Sequence, residues 1–424
     1  MPRSEAVRDP IHGYIAITPL ERRGLDSREV QRLRRIAQLG LTELVYPGAR
    51  HSRFEHAVGA LAVVTRLFEE LRGRVGLDSW FAAVERTPTE NEFQHLVSVA
   101  RWTALLHDVG HAPFSHVTES LLPSGETHED RTLRLVRGGE VGRVIAEWGA
   151  QLLEDVLLCL DPHCEPEDPA LAFVREAISG PLGADRMDYL LRDSWGTGVS
   201  YGIFDLDRIV HTVLPVERED RSGVRLGIDR GGVSATDGML WARASMFGQV
   251  YQHRTRRILD IHLCEFLTRI LPDGCYPRDD AAYLEWDDPR VWNQLRVAAG
   301  DPTDRGHADA LRILRRGHHR ALPERIEGDD PAEIEVELHR WKEAALALDP
   351  AFDPRVDLVV LARDPSRSGE IPVCGGVERG RAWVPLREVS DLIDRLTPRP
   401  FGRIYIANPL RHRGEEISER MSQG

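Results

Sequence analysis

The run His107-Asp108-Val109-Gly110-His111-Ala112-Pro113-Phe114-Ser115-His116 decides how this chain is read. It closes an amphipathic stretch from Phe93 to Leu106, in which Val97, Ala100, Ala104 and Leu105 mark one buried face of a helix. Gly110 and Pro113 end that helix, so the His107-Asp108 dyad is expected at its C-terminal end, where packing gives way to a cleft. Outward from it lie three further pieces: Arg53-Phe54-Glu55-His56, His128 after Thr127, and Asp185 within Ala184-Asp185-Arg186-Met187-Asp188-Tyr189. His56 opens a second amphipathic run, with Ala57, Ala60, Leu61, Val64, Leu67, Phe68 and Leu71 on one face. Asp185, Tyr189, Arg192 and Asp193 recur at helical spacing, which puts a carboxylate and further polar groups on one side of a third helix. A His-Asp dipeptide alone is weak evidence. Imidazoles and carboxylates gathered from distant segments would instead form a mixed nitrogen and oxygen ligand set, suited to a divalent metal that keeps positions open for water and substrate.

Charge and composition bound the partners. The 424 residues, 42% of them hydrophobic, can bury a substantial core. A formal net charge of −13 argues against an extended nucleic-acid surface, because binding a phosphate backbone needs many Lys and Arg contacts. A nucleotide needs only a local cluster, and Arg53, Arg186 and Arg243 offer one through bidentate bonds to phosphate oxygens. Lys342 is the sole lysine, so nearly all positive charge is arginine. Cys159, Cys164, Cys264, Cys275 and Cys374 show no paired spacing and read as reduced thiols. Met1 to Glu5 lacks an apolar secretory stretch, and no segment approaches the roughly 20 apolar residues of a membrane helix. The expected location is the cytoplasm, with no membrane partner.

Asp9-Pro10-Ile11-His12-Gly13, Gln31-Arg32-Leu33-Arg34, Gln38-Leu39-Gly40, Tyr46-Pro47-Gly48-Ala49, Asp188-Tyr189 and Tyr251-Gln252-His253 add to the motifs above. Together they closely resemble the HD-domain deoxynucleoside triphosphate (dNTP) triphosphohydrolases, in the branch of the vertebrate sterile-alpha-motif and HD-domain enzyme and its bacterial homologues. The likeness is dense from about Asp9 to Asp260 and thinner afterwards. It implies a metal-dependent attack at the α-phosphorus that releases deoxynucleoside and inorganic triphosphate. By this resemblance His56, His107, Asp108 and Asp185 hold a divalent metal (Fe, Mn, Zn or Mg), while His128, oriented by Glu119, acts as proton donor with His111 and His116 beside it. Gln38, Leu39, Arg53, Arg186, Tyr189, Asp193, Arg243, Tyr251 and Gln252 match substrate positions, Tyr251 standing where a ribose 2′-hydroxyl would clash. Asp26, Gln31, Arg34, Val45, His253 and Arg254 match an effector site for GTP or a dNTP at a subunit interface, which implies a homo-oligomer, dimer or tetramer. This chain departs from the family pattern at Glu119 (Asp in relatives), Arg186 (Lys), Phe247 (His), Glu5 (Lys) and Arg8 (Asn).

Two rival readings share these residues. One is an HD phosphohydrolase acting on a nucleoside monophosphate, an alarmone or a cyclic nucleotide; the set Gln38, Tyr189, Asp193 and Tyr251 discriminates, since a deoxynucleotide pocket accounts for it. The other is a non-catalytic nucleotide sensor or nucleic-acid-binding scaffold that kept the fold, against which the intact ligand set speaks.

The expected architecture is mainly α, an HD-domain helical phosphohydrolase core with a short N-terminal hairpin and a small C-terminal α+β subdomain. The hairpin spans Ala6 to Leu20. Helices are expected over Ser27 to Leu39, Phe54 to Leu71, Asn91 to His107, His128 to Arg137, Val141 to Leu160, Pro169 to Ser179, Asp185 to Ser194 and Ser234 to Leu271, with a β excursion at Gly223 to Gly232. In the tail, Val356 to Ala362, Ile371 to Cys374, Arg381 to Val384 and Ile404 to Ala407 read as strands around one helix, Leu386 to Leu396. The corresponding units are residues 1–275 for the core, 276–345 for a helical extension and 346–424 for the α+β subdomain.

Overall fold

The computed structural model describes residues 5–80, 89–218, 224–360, 370–375, 383–393, 396 and 399–422. It is mainly helical. Strands β1 (Glu5–Asp9) and β2 (Gly13–Ile17) form the N-terminal hairpin. Gly13 closes its turn at φ +74°, and Asp9 Oδ1 accepts the amides of Ile11 and His12, both at 2.8 Å. Helix α1 (Pro19–Leu25) starts at a capping box between Thr18 and Glu21.

Helix α2 (Arg28–Arg32) is shorter than the expected Ser27 to Leu39. The chain tightens to a 3₁₀ turn at Leu33–Arg35 and extends at Ile36. Tertiary pairing overrides the helical pattern here: Gln38 N donates to His51 O at 3.0 Å, Arg53 N donates to Ile36 O at 2.9 Å, and Ala37 bridges Ser52. These bonds lay Gln38 alongside His51.

The central bundle comprises α3 (Arg53–Trp80), α4 (Glu90–Leu106), α5 (His128–Gly138), α6 (Glu140–Trp148), α7 (Ala150–Leu160), α8 (Pro169–Ser179) and α9 (Ala184–Thr197). Helix α3 packs against both α4 and α9, burying Leu61, Val64, Leu67 and Phe68 with Val99, Trp102, Leu105 and Leu106. A second capping box, Thr127 with Asp130, fixes His128 as the first residue of α5. The single helix expected over Val141 to Leu160 is two, separated at Gly149 in extended backbone.

Helix α10 (Leu206–Thr212), β3 (Val213–Glu217), β4 (Val224–Asp229), α11 (Val233–Met246) and α12 (Arg254–Ile270) follow. The long helix expected over Ser234 to Leu271 is interrupted by a π-helical turn, Phe247–Tyr251, which widens the helix and re-aims Tyr251. Then come α13 (Asp280–Tyr283), α14 (Asp288–Gly300), α15 (His307–Leu314), β5 (Arg320–Ala321), β6 (Ile326–Glu327), α16 (Pro331–Leu348), β7 (Arg355–Val359), β8 (Pro372–Cys374), β9 (Trp383–Pro385), β10 (Phe401–Ile406) and α17 (Gly414–Ser422).

The tail strands divide between two sheets. One has the order β3-β4-β8-β9; in the other β10 pairs with β5, β6 and β7. Pairing therefore crosses the expected boundaries at residues 275 and 345. The expected helix Leu386 to Leu396 is replaced, over the described residues, by a 3₁₀ turn at Leu386–Glu388. Its backbone is drawn elsewhere: Leu386 N donates to Ile371 O at 2.8 Å, and Ser390 Oγ accepts Leu392 N at 3.2 Å while donating to Asp237 at 2.7 Å. Positions 361–362 and 381–382 of the expected strands, and Gly223, lie outside the described residues. A second small core, with Leu322, Ile334, Leu338, Phe352, Ile404, Ile406 and Ile417, sits beneath β10 and α16. Among the described residues no helix is long and apolar enough to cross a membrane, and the five cysteines are free.

Where this small subdomain meets α12, His318 and His319 are buried. His318 Nε2 faces the Arg320 guanidinium at 3.0 Å, so that nitrogen accepts and the ring stays neutral. Burial, with Arg320 and Arg316, holds His318 down at about 4, and burial with His262 and Arg312 holds His319 down at about 4. The unfolded chain binds these protons near the ordinary value of 6.5, so the stability these rings permit is complete above that pH and is lost as the pH falls toward 4. Thermal melts between pH 7 and 4 are expected to show a smaller loss of Tm for the His318→Gln/His319→Gln double variant than for the wild type.

Candidate active site

Four side chains from three helices converge. His56 lies in the first turn of α3, His107 caps the C-terminus of α4 with Asp108 next to it, and Asp185 lies in the first turn of α9. His56 Nε2 is 3.1 Å from Asp185 Oδ1, 3.3 Å from His107 Nε2 and 3.6 Å from Asp108 Oδ2. His107 Nε2 is 3.4 Å from Asp108 Oδ1 and 3.7 Å from Asp185 Oδ1. Donors bound about 2.1 Å from one ion stand roughly 3.0–3.4 Å apart, so the cluster needs little adjustment to hold a divalent metal.

The tautomers suit this as well. His56 Nδ1 lies 2.8 Å from Asp188 Oδ2 and His107 Nδ1 lies 2.7 Å from Ala104 O, so each ring donates through Nδ1 and turns its Nε2 lone pair to the centre. Electrostatics agree: burial opposes charge on His56, yet Asp185, Asp188 and Asp108 outweigh it and push the imidazole up to about 10. A place that traps a proton so firmly is one where a cation belongs. The donor set fits a divalent metal.

Behind this cluster, Asp188 is fully buried. Arg192 donates to it twice at 2.8 Å, and His12 Nε2 lies 2.7 Å away. Arg192 also donates to Asp9 Oδ2 at 2.9 Å, which ties the hairpin turn to the metal site. Burial by itself would raise the Asp188 carboxyl, but Arg192 beside it, with His12 and His56, holds it well below the carboxylate range. Gly59, one turn after His56, leaves the room: a Cβ there would stand 1.9 Å from Asp188 Oδ1. Sequence reading placed Asp188, His12 and Asp9 in motifs without giving them this role.

On one side of the cluster lie three histidines. His111 Nε2 is 3.2 Å from Asp108 Oδ1, and the His111 ring stacks on His128 at 4.0 Å between centroids. Glu119 accepts from His128 Nδ1 through Oε1 and lies 2.9 Å from His116 Nδ1 through Oε2. The extra methylene of Glu119 relative to Asp thus lets one carboxylate span both rings. Burial opposes ionisation of Glu119, and its contacts with His116 and His128 hold its pKa down nonetheless. Burial and Arg53 hold His111 well below the ordinary imidazole range, which keeps it neutral.

On another side, Tyr251 OH donates to Asp193 Oδ2 at 2.6 Å, and His51 Nε2 lies 2.8 Å from Asp193 Oδ1. Tyr189 sits between, its ring 6.5 Å from His56, with burial raising its hydroxyl pKa against Arg243. Gln38 Oε1, Gln252 Oε1 and Arg243 Nε are buried without a hydrogen-bond partner among the described residues. His51 was missed in the sequence; the only hint is its position two residues before Arg53. Phe247 meets Tyr251 edge-on at 5.0 Å and lies 4.9 Å beneath Arg243.

The remaining expected residues lie around this centre. Arg53 donates to Asp108 at 2.5 Å and to Ser115 Oγ at 2.9 Å, so it braces the ligand set from behind. Leu39 is buried in the core, and Arg186 Nη1 reaches Pro181 O at 3.5 Å. Asp26, Gln31 and Arg34 lie around α2, where Arg34 donates to Gln31 Oε1 at 3.1 Å and stacks 3.5 Å over Phe54. Val45, His253 and Arg254 form a separate group near the start of α12, with His253 6.0 Å from the Tyr46 ring.

Comparison with known proteins agrees with this geometry. The HD domain matches residues 53–192 and the HD associated region residues 204–401. The chain is 34% identical over 296 residues to an uncharacterized protein of Methanocaldococcus jannaschii (69% of this chain, 55% of that protein). It is 27% identical over 284 residues to the deoxynucleoside triphosphate triphosphohydrolase SAMHD1 of Gallus gallus (61% of this chain, 44% of that protein). The chain thus spans about half the length of the curated relatives it matches. The crystal structure of a hypothetical protein from Aquifex aeolicus superposes with TM-score 0.78 at 31% identity, covering 98% of this chain and 100% of that one. The chain belongs to the HD-domain phosphohydrolase family that carries an HD-associated region and is related to the HD-domain dNTPases.

Two outcomes follow from the support behind the ligands. Asp188→Asn is expected to weaken metal binding about 10- to 100-fold in a chelator-competition titration, because His56 loses the group that orients it. Gly59→Ala is expected to cost about 2–4 kcal/mol in urea unfolding, since the new methyl collides with a buried ion pair.

Proposed function

We propose that this chain hydrolyses dNTPs to deoxynucleoside and inorganic triphosphate. The observation that carries the reading is the pocket of Gln38, His51, Asp193 and Tyr251 beside the metal-ligand cluster. Its buried Gln38 Oε1 has no partner among the described residues, and a sugar hydroxyl would supply a donor. Tyr251, held by Asp193, stands at the position that the family resemblance assigns to excluding a ribose 2′-hydroxyl.

When bound, the divalent ion supplies polarisation of the phosphoryl oxygens and lowers the pKa of a water molecule. The chain's own groups do the rest. Glu119 orients His128 through Nδ1, which leaves Nε2 facing outward to give a proton to the departing 5′-oxygen. His111, neutral and stacked on His128, adds no competing charge. Arg186 and Arg243 meet the phosphate tail with planar guanidinium groups. Asp26, Gln31 and Arg34, with Val45, His253 and Arg254, receive a guanine nucleotide that promotes assembly of a cytoplasmic dimer or tetramer.

The test is chromatography of products after incubation with Mn²⁺ and each dNTP, with and without GTP, and with His107→Ala as control. Deoxynucleoside plus triphosphate, lost in the variant, is the expected result; faster turnover and faster sedimentation with GTP are expected for the effector. Intact dNTPs in every lane would overturn the reading and turn attention to monophosphates and alarmones.

A further inference from the structure

We propose that Asp288, on the HD-associated side, is a positioning residue that holds the loop bearing the catalytic histidines in its working shape. The proposal rests on the hydrolytic reading above. Phe114 (φ 60°) and Ser115 (φ 62°) are consecutive non-glycine residues in left-handed backbone, directly before His116. L residues keep such a conformation only where the surroundings over-determine it, and such strain gathers at functional sites.

Asp288 is what determines it. Its Oδ1 accepts the Phe114 amide at 2.7 Å and its Oδ2 accepts the Ala37 amide at 2.8 Å, so one carboxylate joins the histidine loop to the residue before Gln38. Ser115 Oγ closes the same ring by donating to Ala37 O at 2.6 Å while accepting from Arg53 at 2.9 Å. The carboxylate is buried and forms no ion pair among the described residues, an arrangement that is costly to fold and has no use in capping. Asp287 already caps α14, through Arg290 N at 3.0 Å, and pairs with Arg35 at 2.6 Å. Burial pushes the Asp288 carboxyl up to about 7 against the pull of the two amides.

Neighbouring residues make the same connection. Tyr283 OH donates to Gly110 O at 2.8 Å. Arg32 donates at 2.8 Å to both His111 O and Trp286 O. The Phe114 ring meets Trp292 edge-on at 5.7 Å. The segment Tyr283–Trp292 is therefore a strap behind the loop Asp108–Ser115, and Asp288 is its polar centre.

The experiment compares Asp288→Asn with Asp287→Asn in the full chain loaded with Mn²⁺. In Asp288→Asn one amide loses its acceptor and faces an NH₂ group. Expected are a roughly ten- to a hundredfold fall in kcat with dNTP KM changed less than about threefold, unchanged metal content, and faster hydrogen exchange at the Ala37 and Phe114 amides. Asp287→Asn is expected to lower Tm while kcat stays at the wild-type value. Wild-type kcat in Asp288→Asn, or unchanged exchange at both amides, would overturn the proposal. Should Asp288→Asn not fold, Tyr283→Phe removes the hydroxyl that bonds Gly110 O and meets Arg32 while keeping the ring, and a kcat indistinguishable from wild type in that variant would overturn the strap instead. If the wild type itself leaves dNTPs intact, the hydrolytic reading fails, while exchange at the two amides still decides whether Asp288 holds the loop.

Discussion

The buried carboxylate of Asp188 is the constraint on which the site depends. A carboxylate removed from water is tolerated only when its lone pairs are met, and here Arg192, His12 and His56 meet them. Each partner belongs to a different part of the chain: α9 itself, the N-terminal hairpin, and α3. Satisfying one charge therefore fixes the orientation of the His56 ring, the approach of α3 to α9 and the docking of the hairpin turn. The close approach is possible because Gly59 presents no side chain at the crossing. The Asp9-Pro10-Ile11-His12-Gly13 motif, far from the ligands in sequence, is best understood as part of this scaffold.

Helix α9 serves three tasks through its periodicity. Asp185 faces the His56–His107–Asp108 cluster, Asp188 and Arg192 face α3 and the hairpin, and Tyr189 and Asp193 face the side where His51 and Tyr251 lie. Successive turns of one rigid element thus set the spacing between ligand, support and pocket, which loops would hold less well. The C-terminus of α4 adds a further bias, because the negative end of the helix dipole favours a cation where His107 and Asp108 lie. Around these helices the HD-associated region is more than an appendage: its α11 and the π-helical turn that follows bring Arg243 and Tyr251, and its segment around the start of α14 reaches behind the histidine loop.

Much of this was legible from residues alone, for a local reason. Helix periodicity and capping are short-range, so the placement of His56 near the start of α3, His107 at the end of α4 and His128 at the start of α5 follows from patterns within a few residues. Where tertiary bonds compete with local preference, sequence reading fell short. Residues 36–38 leave the helical pattern because their backbone pairs with 51–53, and the π turn at Phe247–Tyr251 has no marker in apolar spacing. The tail helix was lost because Leu386 and Ser390 find partners near Ile371 and Asp237.

What the sequence by itself determined is the helical core, its HD identity and the histidines and aspartates that the fold gathers into one cluster, since these depend on residue type and short-range order. Only the tertiary structure decided which groups support those donors. His51 beside Asp193, Glu119 spanning two imidazoles, Arg53 committed to Asp108, and Asp288 joining Phe114 to Ala37 are all contacts between segments remote in sequence. The reason is physical: buried charges and unpaired amides take whichever partner the packed chain brings within about 3 Å, and that proximity is a property of the fold.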